Sequence, residues 1–263
     1  MRVTCRAERG TMRSLQDTTP IGHALMWIAG YILIVNVGDA VSEAIGIASA
    51  GTAPLLILYA LALIWYLRAG FRARQYGLRR PSAGALRLTA FYLPLLALTL
   101  LQYSKGINTE LDAQAIALAC TLMIGVGFIE ELLFRGFLFQ AIATKKTVLR
   151  AIYICGITFG LGHLVNLMRG YSQADQLIQL TAAVLIGIAL GYCVAITHSI
   201  LPGVLFHILF NISGALTTHD ARWDAVLVGA MALVLLPYIV YLHRVLTRMP
   251  SSQPAVRRES LRR

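Results

Sequence analysis

An apolar run over residues 113–141 carries Glu130, Glu131 and Arg135 near its middle, in the order Gly127-Phe-Ile-Glu130-Glu131-Leu-Leu-Phe-Arg135-Gly136. A hydrocarbon core about 30 Å thick is crossed by about 20 apolar residues of α-helix, and this run exceeds that length. An ionised side chain at the centre of such a span costs roughly 2.5–3.5 kcal/mol on the insertion scale unless it is paired or faces a polar cavity. Adjacent carboxylates do nothing for a hydrophobic span as such. They mark a functional site, and the rest of the chain has to say of what kind.

The surrounding sequence is equally apolar. Of 263 residues, 57% are hydrophobic and 13% charged, where a soluble domain has about 45–50% and about 25%. Eight candidate spans follow, at about 21–41, 53–69, 86–103, 113–141, 149–168, 175–197, 199–217 and 224–246. The expected fold is therefore all-α: a polytopic transmembrane bundle over 21–246, between a basic tail at 1–20 and a basic, disordered tail at 247–263. The fourth span is too long for a perpendicular crossing and has to tilt, break or run along the surface after Gly136. The first apolar run starts after Pro20, is long enough to span and lacks a small-residue cleavage site, so no cleavable signal peptide is expected.

The net charge of +11 acquires meaning once it is placed on this topology. With an even number of spans, 19 of the 23 Lys and Arg residues fall on the side of the two tails, and Lys105, Arg169 and Arg222 on the other. Cytoplasmic loops carry the excess of Lys and Arg, so both termini are expected in the cytoplasm and the protein in the plasma (inner) membrane. Membrane lipid is the expected partner of this charge, and nucleic acid is not. Cys5, Cys120, Cys155 and Cys193 show no CxxC spacing and indicate neither disulfides nor a thiolate metal site. Gly156-x3-Gly160 and Gly187-x3-Gly191 have the spacing of closely packed helices.

Further polar residues stand inside spans five and seven. Phe159, His163 and Asn166 lie on the fifth, and His207 and Asn211 on the seventh. A spacing of four puts Glu131 with Arg135, Phe159 with His163, and His207 with Asn211 on common helical faces. Glu131 and Arg135 form an intrahelical ion pair on this reading. Glu130, about 100° further round, is left to meet the histidines. A desolvated carboxylate of that kind suits a general base for water. His23, His198, His219 and His243 lie near span ends and read as interfacial or solvated. Asp39 sits at the hydrated end of span one, and Tyr153 and Tyr192 read as belt or packing residues.

The ordered trio Glu130-Glu131-x3-Arg135, Phe159-x3-His163 and His207-x3-Asn211 resembles the CPBP (Abi) family of intramembrane proteases, which includes the CAAX prenyl endopeptidases. The likeness covers about residues 110–217. It implies hydrolysis of a peptide bond in a membrane-associated, in some members lipid-modified, peptide or protein. Glu130 would activate water with help from His163, and His207 and Asn211 would stabilise the oxyanion. Glu131, Arg135 and Phe159 would hold the geometry. Members are usually called metalloproteases, which leaves zinc on Glu130, His163 and His207 open beside a metal-free glutamate mechanism. A non-catalytic scaffold or bacteriocin self-immunity protein with the same fold is the alternative. A proton-coupled transporter is disfavoured, because the polar residues are confined to one segment and no inverted repeat is visible.

Overall fold

The computed structural model describes residues 16–70, 72–164 and 172–249; Asn166 and most of both tails lie outside them. The architecture is all-α. The helices are α1 (Pro20–Ile45), α2 (Thr52–Ala69), α3 (Ala83–Leu88), α4 (Leu93–Gln102), α5 (Ala113–Glu130), a π-helical stretch (Glu131–Leu138), α6 (Phe139–Lys145), α7 (Val148–Gly162), α8 (Gln173–Thr197), α9 (Leu201–Ala215) and α10 (Ala221–Arg248). Several starts are fixed by side chains that accept otherwise unpaired amides of the first turn. Ser82 caps α3, Asp112 caps α5, Thr147 caps α7 and Asp220 caps α10.

Among the described residues, five helical stretches are long and apolar enough to cross a membrane: α1, α2, the continuous Ala113–Lys145 unit, Gln176–Thr197 of α8, and α10. Of the eight expected spans, three do not form one long apolar helix among the described residues. The segment at 86–103 is broken, because Ala90, Phe91 and Tyr92 adopt left-handed backbone angles between α3 and α4. Pro94 supplies a reason: it has no amide hydrogen to continue an upstream helix, and it is tolerated where one restarts. The seventh segment is a helix of 15 residues, about 22 Å long and shorter than the hydrocarbon core; the described part of the fifth, α7, also has 15 residues, and 165–168 of that segment lie outside the described residues.

The expected fourth span does not break at Gly136. It stays helical from Ala113 to Lys145 and changes its winding instead. Every residue from Ile129 to Phe139 is buried, which identifies this stretch as the axis of the bundle rather than an amphipathic wall. Gly136 lets it pass the Tyr76 backbone, since a Cβ there would stand 3.1 Å from the Tyr76 carbonyl oxygen.

Helices α7 and α8 interlock through the two glycine pairs. A Cβ on Gly156 would meet Ile188 at 2.6 Å, and one on Gly191 would meet Ile152 at 3.2 Å. At one end of the bundle the Ile200 amide donates to the Gly77 carbonyl at 2.9 Å, and Arg79 Nε donates to the His198 carbonyl at 2.8 Å. At the other end the Asn108 amide donates to the Leu216 carbonyl at 2.9 Å, and Lys105 pairs with Asp224 at 3.0 Å. These ties hold both ends of the short helix α9, and so set its depth beside the axis.

One peripheral expectation changes. His23 is not interfacial: it is 2% exposed, stacks on Tyr66, lies against Phe137 and accepts from Trp27 Nε1 at 3.0 Å. Of the two readings for Tyr192, belt or packing, burial favours packing: it is fully buried, with Tyr153 Oη at 3.1 Å and His243 Nδ1 at 2.9 Å.

Candidate active site

The π-helical stretch begins at the paired carboxylates. The Phe139 amide bonds to the Phe134 carbonyl, five residues back. Such widened turns are frequent at functional sites, and they bring side chains four apart closer to one line than a turn of 3.6 residues does. Glu131 Oε1 and Arg135 Nη1 lie 2.8 Å apart, with both residues 0% exposed. The contact is a charge pair rather than an aligned hydrogen bond, because the guanidinium nitrogens have no hydrogen-bond partner among the described residues. Arg135 is also seated 4.3 Å from the centre of the Phe159 ring, whose negative face suits a desolvated cation.

Neighbouring helices make room for this pair by omitting side chains. A Cβ on Gly203 of α9 would lie 3.2 Å from Glu131 Oε2, and one on Gly187 of α8 would lie 3.3 Å from Arg135 Nη2. Without those glycines the ion pair would have to move away from α8 and α9.

His207 on α9 stands between the two carboxylates. Its Nδ1 is 3.1 Å from Glu131 Oε1, and its Nε2 is 3.6 Å from Glu130 Oε2. Glu131 lies against Arg135 and also meets His207, so the imidazole is not left to Glu130 alone. One imidazole touches both groups, because α9 crosses close to the axis at Gly127, where a Cβ would come within 2.9 Å of the Ile208 amide nitrogen. In its doubly protonated form the ring donates from Nδ1 to Glu131 and turns Nε2–H toward Glu130.

Glu130 is 8% exposed. Its Oε1 accepts a 2.8 Å hydrogen bond from the Tyr31 hydroxyl of α1, and its Oε2 has no hydrogen-bond partner among the described residues. Glu130, His207, His163 and Asn211 line one cavity of about 560 Å³, together with Tyr31, Asp39 and Phe159. His163 caps the end of α7 and meets the Phe159 ring edge-on at 5.3 Å, and Phe159 meets His207 in the same way at 5.7 Å. Glu131 and Arg135 are absent from the cavity wall and lie behind it.

Tyr31 carries no signal in the sequence, as no spacing rule connects position 31 with position 130. Asp39, a solvated residue at a helix end on the sequence reading, is part of the cavity wall and accepts from Thr52 Oγ1 at 2.7 Å. Among the described residues no three His, Cys, Asp or Glu side chains gather as metal ligands; Glu130 Oε2 and His207 Nε2, 3.6 Å apart, share the cavity with His163, and these are the residues that would hold a divalent metal there.

Residues 112–213 match the family model described as type II CAAX prenyl endopeptidase Rce1-like. No curated protein and no solved structure matches the chain. The matched region runs from the cap of α5 through most of α9. It contains all three motifs and leaves out α1, which supplies Tyr31 and Asp39. The match supports the CPBP, or CAAX protease-like, family, whose members are membrane proteases.

Proposed function

We propose, from a CAAX protease-like core as the premise, that this chain hydrolyses a peptide bond in a membrane-associated peptide or protein by glutamate-activated water. The observation that carries the reading is Glu130 Oε2, a buried carboxylate oxygen without a hydrogen-bond partner among the described residues, 3.6 Å from His207 Nε2 in a cavity shared with His163 and Asn211. One water oxygen can contact both atoms at that separation. Glu130 takes a proton as the water attacks the scissile carbonyl, with His163 holding the water in line. His207 and Asn211 donate to the oxyanion that forms, at a site where desolvation makes each donor count for more than in bulk water. Glu130 then returns its proton to the leaving nitrogen. Glu131 and Arg135, behind the wall, keep His207 oriented.

The distribution of basic residues supports a plasma (inner) membrane location with both termini cytoplasmic. The substrate class is a peptide or membrane protein, lipid-modified or embedded, that reaches the cavity within the bilayer.

The test is purified protein in detergent with a library of quenched apolar peptides. Glu130→Gln lowers kcat by about 10³-fold or more and His163→Ala by about 10²-fold, within the range of general-base loss. Cleavage that survives both substitutions overturns the assignment. The glutamate mechanism further expects rates to hold within about twofold in EDTA, as no step passes through a metal. One equivalent of bound zinc, with activity lost on its removal and regained on its return, replaces this mechanism with a metal-assisted one.

A further inference from the structure

Among the described residues the candidate site is walled on one side and extends on the other. The end of the bundle where Ile200 meets Gly77 is the end of the tails, since Asp17 pairs with Arg72 there at 2.9 Å and α10 closes at Arg248. From Glu130 the cavity runs the other way. On α1 its lining goes from Tyr31 on to Asp39, on α9 from His207 on to Ala215, and on α2 it takes Thr52 and Leu56 at the start of the helix. Since α1 runs away from the tails, while α2 begins and α9 ends at the far end, all three put the lining on the side of the Lys105–Asp224 pair. The eight residues from Tyr31 to Asp39 make this vestibule about 12 Å deep.

On the tail side of Glu130 the bundle is closed. Every residue from Glu131 to Phe139 is buried, and Arg135 sits behind Phe159, 4.3 Å from its ring centre. A second cavity, of about 330 Å³, does lie at the tail end, with Gln16, Tyr76, Gln140 and Lys145 in its wall, but it shares no lining residue with the first. Phe137 forms its inner wall, 1% exposed and packed on Tyr76 at 4.6 Å and on His23 at 5.2 Å. Passage from that end would have to separate the Glu131–Arg135 pair and side chains packed at core density. The far side differs, as half-buried Gln102 and Asn211 bring amides to the vestibule wall. Polar groups at membrane depth are accommodated where they face a water-filled space, so the water that hydrolysis consumes arrives by this route.

We infer that substrate enters from the side opposite the tails and that, with the tails in the cytoplasm, it is a peptide segment exposed on, or embedded in, the extracytoplasmic half of the bilayer. A C-terminus presented from the cytoplasm, lipid-modified or not, meets the buried wall instead of Glu130. An extended chain covers the depth of the vestibule in about four residues, so the bond that is cut lies about four residues inside the mouth. This inference rests on the proposed protease reading and tail orientation, and the experiment separates the three.

Right-side-out and inverted membrane vesicles carrying the full-length protein provide the test. A quenched apolar peptide coupled to dextran, which cannot cross the bilayer, is cleaved by right-side-out vesicles, and by inverted ones only after detergent opens them. A membrane-impermeant maleimide modifies Cys5 of the N-terminal tail in inverted vesicles and Ala215→Cys in right-side-out vesicles, each modified cysteine being located by mass. Maleimide on Ala215→Cys abolishes cleavage in detergent, whereas maleimide on Gln140→Cys, in the wall of the second cavity, leaves it unchanged. Cys5 and Ala215→Cys modified from the same side, or cleavage confined to inverted vesicles, overturns the inference and leaves the protease reading intact. Cys5 modified from outside, with Ala215→Cys and cleavage on the inner side, overturns the tail orientation and with it the extracytoplasmic substrate. Opposite-sided labelling with no cleavage of any peptide in detergent upholds the one-sided opening and overturns the protease reading.

Discussion

Tyr31 donates a 2.8 Å hydrogen bond to Glu130 across the boundary between α1 and the core helices. It fixes one carboxylate oxygen and leaves the other facing His207 and the cavity. The donor comes from outside the region that matches the protease family. The base of the proposed reaction is therefore positioned by a helix whose own sequence carries no recognisable motif.

Tyr31→Phe should test that dependence. A hydrogen bond to a charged group contributes about 1.5–3 kcal/mol, so its loss lowers kcat by about 10- to 100-fold while KM holds, because the phenyl ring still fills the same space. Thermal unfolding in detergent should stay close to wild type. A fall in stability equal to the fall in rate would show Tyr31 to be a packing residue alone.

The Glu131–Arg135 pair makes a different prediction, about stability. Both groups are fully buried and lean on Gly187, Gly203 and Phe159. Removing one partner strands a buried charge, at a cost of about 3–5 kcal/mol. Glu131→Gln and Arg135→Met should each lower the melting temperature sharply. The combined Glu131→Leu/Arg135→Met variant should recover much of that stability yet stay inactive, since His207 has lost the carboxylate that orients Nδ1. Equal losses in single and combined variants would refute the pairing.

A third prediction concerns the glycine contacts. Gly156→Ala would place a methyl 2.6 Å from Ile188 Cγ1 and 2.9 Å from the Ile188 backbone nitrogen. The collision with a neighbouring backbone should cost about 1–3 kcal/mol and push α8, with Gly187, away from Arg135. A methyl added at Gly229 in α10 would meet nothing within 4 Å, so Gly229→Ala should be neutral or raise stability by up to about 1 kcal/mol. Similar effects at the two positions, read as melting temperatures in one detergent, would contradict the packing described.

Much of the bundle was legible in the residues. The apolar runs and the paired small residues on α7 and α8 are local signals that need no knowledge of a partner helix. The Glu131–Arg135 contact is of the same kind, because a spacing of four brings its members together on any helix. The break at Ala90–Tyr92 was also in principle readable, since Pro94 stands inside the expected third span and argues against one unbroken helix there.

What sequence could not supply is whatever lies between helices. His207 touches both carboxylates because α9 crosses at Gly127 with Gly203 over Glu131, a matter of inter-axial distance. Tyr31 and Asp39 enter the site because α1 packs beside the axis, and His23 is buried for the same reason. Sequence alone determined an all-α chain with a charged centre, since burial of backbone groups and side-chain spacing along one helix are local requirements. Tertiary structure decided which carboxylate faces the cavity, what holds it and how far the cavity extends. Those depend on the approach of separate helices, and periodicity along any one of them does not encode it.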